Sequence, residues 1–343
     1  MHMADALISP QVGAVMWTAT LAVGAYSVKK AREKEEQDHI ALAGILGAFV
    51  FAAQMINFSI PGTGSSGHIG GGLLLSILLG PHLAFLTMAA ILFIQALFFA
   101  DGGLLSYGCN VFNLAFCTCF VAYPLFCQLS KKVDKRYIFS KGSIVLASVI
   151  GLQLGAFSVV LETLFSNKTE LPFFTFVMLM QPIHLAIGLV EGFITAAIIS
   201  SVEKTAPQIL SHSRTQSRTA PAIEKLGAVF IVAALFTGGI LSWFASTQPD
   251  GLEWSIEKVS GSVDIESASN VHGLFSDLQK KTAILPDYSF GTAGEAPETW
   301  PKADAGTSVS GIAGAFFTFL LVFIIGFALK PKNKPEPVQK AKW

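Results

Sequence analysis

Charge is what this chain has least of. Asp, Glu, Lys and Arg make up 13% of its 343 residues, about half the share of roughly 25% usual in soluble domains. The 23 basic and 23 acidic residues cancel, so the bulk charge names no partner and speaks against nucleic acid. No Lys or Arg precedes the first apolar run, so the pattern of a secretory signal is missing. The four cysteines, Cys109, Cys117, Cys119 and Cys127, stand in or beside one apolar stretch without a CxxC pair. That spacing suggests neither a zinc cage nor a thioredoxin-like site, and the thiols read as small packing residues. GxxxxGK[ST] does not occur, so hydrolysis of ATP would have to come from other subunits. HExxH, the mark of a zinc protease, does not occur either.

What is abundant is apolar sequence: 52% hydrophobic residues, in stretches of about 20 that are long enough to cross a bilayer as helices. Nine such segments can be drawn, near 11–27, 40–58, 69–80, 83–100, 104–127, 142–165, 176–200, 226–247 and 309–329. The expected fold is an all-α polytopic transmembrane bundle of about nine spans. The third segment, IGGGLLLSILLG, is short and can cross only while packed among neighbours. Basic residues set the orientation. KKAREK (29–34), KKVDKR with Lys141, the 202–225 stretch and the 330–342 tail hold 18 of the 23 basic residues. Nine crossings with the N-terminus outside put all four clusters, and the C-terminus, in the cytoplasm.

The polar, Ser/Thr-rich stretch 202–225 divides the chain. Residues 1–201 form a seven-span unit, and 226–343 a two-helix module around an external segment, 248–308. That segment carries ten acidic and four basic residues. It reads equally as a collector of cations and as a solvated acidic linker.

The opening MHMADA raises a specific chemistry. The Met1 amine, the His2 amide nitrogen and the His2 imidazole can close a five- and a six-membered ring on one metal, with a fourth nitrogen completing the square plane favoured by Ni(II) or Cu(II). On these two residues alone an ordinary interfacial histidine is the simpler reading. NFSIPGTGSSGHIGGG adds weight: irregular backbone at membrane depth is tolerated where it lines a cavity, and His68 lies on the same side as His2. The plain alternative is a glycine-rich turn with a surface histidine.

MHMADALISP, GTGSSGHIGGGLLLSILLGPHLA, FFADGGLLSYGCNVFN and PIHLAIGLVEGFIT resemble, in order, the motifs of the CbiM/NikM family. Its members are the substrate-capture subunits of energy-coupling-factor importers for cobalt and nickel. TQPDGLEWSIEK and LPDYSF resemble the small N component of the same systems, whose signature is PDGLE. The resemblance covers nearly the whole chain and implies a fusion of the two. It implies metal ligation by Met1, His2 and His68, nickel(II) or cobalt(II) as the carried substrate, and ATP-binding subunits with an integral membrane coupling subunit as partners. It also implies a multi-pass protein of a bacterial plasma or inner membrane, with an N-like segment that assists loading more than equilibrium binding. Met3 and Ala6 stand where the family motif often has isoleucine and glycine.

Asp101, Asn110 and Asn113 are candidates to accept or donate hydrogen bonds at the metal-ligating rings. His184 and Glu191, seven apart and on one helix face, are expected to pair. Ala14, Thr18 and Ala22 form a small-residue stripe that suits either docking of the coupling subunit or packing within the chain. The competing function is a self-sufficient, ion-coupled metal permease with a proton path over Asp101, His184 and Glu191.

Overall fold

The computed structural model describes residues 1–33, 40–132, 141–168, 170–210, 220–262, 269–290 and 300–329. Part of each of the first three basic clusters used above for orientation (Lys34, 133–140 and 211–219) and the whole 330–342 tail lie outside them. The described residues form helices α1 (Pro10–Glu33), α2 (Ile40–Gln54), α3 (Gly72–Leu79), α4 (Pro81–Phe98), α5 (Tyr107–Val111) and α6 (Tyr123–Lys132). They continue through α7 (Lys141–Phe165), α8 (Phe173–Thr205), α9 (Pro207–Leu210), α10 (Ala220–Gly239), α11 (Gly251–Ser260), α12 (Asn270–Thr282) and α13 (Ala305–Leu329). A π-helical stretch, Phe112–Ala122, joins α5 to α6 in one span. The short antiparallel hairpin β1 (Phe58–Ile60) and β2 (Ser65–Gly67) pairs Phe58 with Gly67.

Among the described residues five helices are long and apolar enough to cross a membrane: Pro81–Phe98, Tyr107–Ser130, Lys141–Phe165, Phe173–Thr205 and Ala305–Leu329. Their outer faces are apolar, with Phe174 81% and Met178 71% exposed, as lipid-facing surface requires. The 69–80 segment departs from the nine-span expectation. Its helix α3 has eight residues, about 12 Å at 1.5 Å each, against a hydrocarbon core of about 30 Å. All eight are buried, so α3 is an interior helix by length.

The tail packs on the rest. Helices α10 and α13 lie against α2, and α11 against α8. The described part of 248–308 is therefore no solvated linker: α11 and α12 fold onto the face where the chain begins. His272 of α12 bonds the Ile8 carbonyl at 2.9 Å, and Gln279 donates to the carbonyls of Ala96 and Gly102 at 2.8 Å each.

Candidate metal-capture site

The first residues are held as backbone. The Met3 N–H donates to Asn110 Oδ1 at 2.7 Å, and its carbonyl accepts from Gly103 N, Ser106 Oγ and Asn110 Nδ2. Asp5 Oδ1 accepts from Ser106 N at 2.9 Å. A single 3₁₀ turn, Asp5–Leu7, follows, and Ala6 fits it without a glycine's freedom. Met1 is consequently 6% exposed, a rare setting for a charged amine, which burial penalises unless it is paired.

Its partner comes from the tail. The Met1 amine lies 3.2 Å from Asp250 Oδ2. Asp250 caps α11: Oδ1 accepts from Leu252 N at 2.7 Å and Glu253 N at 2.8 Å, and Glu253 Oε2 accepts from Asp250 N. This is the reciprocal capping box that PDGLE spells. Burial works to raise the Asp250 pKa, but the Met1 ammonium and the helix amides hold it well below the usual carboxylate range.

His2 stands beside Met1, and its ring centroid is 5.1 Å from that of His68. His2 Nδ1 meets Asp101 Oδ1 at 2.6 Å, while Asp101 Oδ2 accepts from the Tyr288 hydroxyl at 2.5 Å. Burial would raise the Asp101 pKa; the His2 ring and these bonds outweigh it and bring it down to about 2. His2 Nε2 is buried without a hydrogen-bond partner among the described residues. The six-membered chelate ring needs Nδ1, so forming it requires the imidazole to leave Asp101.

The loop carrying His68 is tied from both sides. The amides of Gly70 and Gly71 donate to the two Glu191 oxygens at 2.7 and 3.0 Å, and the Gly70 carbonyl accepts from Gln54 Nε2 at 2.7 Å. Gly71, at φ +80°, turns the chain into α3 where a side chain would be strained. His68 Nδ1 points to the Ile69 carbonyl at 3.0 Å. Burial, then the positive charges of His2 and Met1, push its pKa down to about 4, so the ring is neutral near pH 7 and has a lone pair to give.

Met1, His2, His68 and Asp101 are thus brought together. Asn110 and Asn113 are not at the rings: Asn110 clamps the Met3 backbone, and Asn113 Nδ2 donates to Glu162 Oε2 at 2.8 Å and faces the Met3 sulfur. They act on the strand bearing His2 because they sit level with Met3. His184 and Glu191 do not pair with each other. Seven residues of helix separate them by about 10 Å along the axis, and His184 Nδ1 bonds the Met180 carbonyl at 2.7 Å instead. His184 lines a small cavity with Met1, His68 and Asp250. Ala14, Thr18 and Ala22 are exposed, so the stripe is not used for packing within the chain. Among the described residues no three His, Cys, Asp or Glu side chains form a ready metal cage.

A family model described as "Cobalt uptake substrate-specific transmembrane region" (CbiM) matches residues 2–209, more than half of the chain, and the chain belongs to that family. A PDGLE domain model matches 224–331. A putative fused nickel transport protein NikMN of Archaeoglobus fulgidus is 32% identical over 96% of this chain and 98% of its own. A probable fused nickel transport protein LarMN of Lactiplantibacillus plantarum is 29% identical over 81% of this chain and 88% of its own. The cobalt transport protein CbiM of Sorangium cellulosum is 28% identical over 62% of this chain. A crystal structure titled as that of a truncated transition metal transporter superposes with a TM-score of 0.52 at 31% identity, covering 60% of this chain and 99% of that one. The protein is therefore a multi-pass membrane transport protein and not an enzyme.

Proposed function

We propose that this chain is the substrate-specificity subunit of an ATP-driven energy-coupling-factor importer, with 1–201 as the capture domain and 226–343 as a fused N-like module. Its substrate is nickel(II), with cobalt(II) as the second choice, taken from outside with the N-terminus on that face. The observation that carries this is the meeting of the buried Met1 amine, His2 and His68 at one point. Four nitrogens in a plane suit Ni(II). Binding moves His2 Nδ1 from Asp101 to the metal, joins it to the Met1 amine and the deprotonated His2 amide, and takes the fourth nitrogen from neutral His68. ATP hydrolysis belongs to partner subunits, and the exposed Ala14, Thr18 and Ala22 face suits the membrane coupling subunit.

The permease alternative finds less support, since Asp101, His184 and Glu191 are each engaged with separate partners. Titrating the purified full chain with nickel chloride, natively and with one glycine placed before Met1, tests the reading. The extension moves the amine out of the chelate, so binding should weaken at least a hundredfold; unchanged affinity would remove Met1 from the ligand set. Nickel uptake into proteoliposomes by the chain alone would favour the permease.

A further inference from the structure

We propose that Asp250, supplied by the fused tail, is a positioning residue of the capture site: it accepts an N–H of the Met1 amine and keeps doing so while that nitrogen ligates metal. The inference rests on the reading of Met1 as a ligand and adds a partner from 249 positions away. A coordinated amine has given its lone pair to the metal but retains two N–H groups. A carboxylate oxygen at 3.2 Å can therefore stay bonded and fix where the lone pair points. Outer partners of this kind orient metal ligands throughout protein chemistry.

Four separate constraints bring Asp250 there. Its Oδ1 is spent on the two α11 amides, which leaves Oδ2 for Met1. The Pro249 carbonyl accepts from Ser66 N at 2.8 Å, and the Gln248 carbonyl from Ser66 Oγ at 2.8 Å, two residues before His68. Gly251 lets α11 lie directly on α8: a Cβ there would stand 2.5 Å from the Ile183 side chain. Met1, finally, is 6% exposed, and burial penalises its charged amine unless it is paired. The His68 loop and the Met1 partner are thereby held in one register, and the capture site is complete only with the tail in place.

The test uses the full chain in detergent and nickel chloride as the probe. Asp250→Asn and Asp250→Ser both keep a good helix cap but remove the carboxylate oxygen facing the amine. Each should weaken nickel binding about 10- to 100-fold and shift the visible absorption band of the bound ion, beyond any fall in melting temperature that unpairing the buried amine brings. In the chain with a glycine before Met1, where the amine has left, Asp250→Asn should cause no further loss, because coupled residues are not additive. Native affinity in both variants overturns the proposal. So does a loss that adds fully to that of the glycine extension, or one that tracks a lowered melting temperature without a band shift. His68→Ala is the control for the underlying reading: if it too binds normally, the ligand set is wrong; if it fails to bind while Asp250→Asn binds normally, only the role of Asp250 falls.

Discussion

Glu191 lies well inside α8, yet its two oxygens serve the backbone of the loop that presents His68. Replacing it by alanine strands two buried N–H groups, at about 1–3 kcal/mol each. Glu191→Ala should lower both the melting temperature and nickel affinity, while Glu191→Gln, keeping one acceptor, should lose less; calorimetry and nickel titration on the same samples read both. The pH response follows from His68. Its folded-state pKa, about 4, lies below the ordinary value of 6.5, so the unfolded chain takes the proton first. Its contribution to stability is whole above about 6.5 and drains as pH falls toward 4. Nickel affinity should decline from pH 7 to 5 because the amine and amide must shed protons, while His68 remains neutral over most of that window. A flat profile between those values would count against ligation by the main chain. The meeting of His2 and His68 was legible in the sequence because the two stand on one side and a glycine-rich loop marks its own irregularity. Asp250 and Tyr288 were visible only as motifs, since no periodicity reports a contact between residues 187 or more positions apart.

Among the elements, α11 has an exacting seat. Its cap fixes where it starts, and Gly251 fixes how close it comes to α8. Gly251→Ala forces overlap with Ile183, a misfit of about 1–3 kcal/mol. It should loosen α11 and weaken nickel binding without touching a ligand, which protease nicking between 245 and 270 together with nickel titration would register. The apolar segments at 83–100, 104–127, 142–165, 176–200 and 309–329 read correctly as membrane helices because length and hydropathy are properties of one stretch. The 69–80 segment, too short to cross except among neighbours, holds an eight-residue helix with every residue buried, and a helix buried among helices is as apolar as one in lipid. The supposed His184–Glu191 pair failed because sharing a face says nothing about depth.

At the scale of the molecule, the described part of the acidic segment lies against the candidate site. As a mobile external loop, 248–308 was expected to influence loading more than equilibrium binding. With Asp250 on Met1 and Tyr288 on Asp101, deletion of 248–308 with both flanking helices kept should weaken equilibrium nickel binding at least tenfold. Normal binding with slowed uptake would restore the loading role. The stitch of Ser66 to Gln248 and Pro249 also bears on how such proteins are encoded. Noncovalent contacts hold the tail, so the join between the two units serves as a tether that sets effective concentration, in the millimolar range for short flexible linkers. Cut there, the halves would have to find each other in the membrane, and the share of complete capture sites would follow the abundance of the scarcer half. A single chain removes that dependence: every copy carries its own tail in one-to-one proportion.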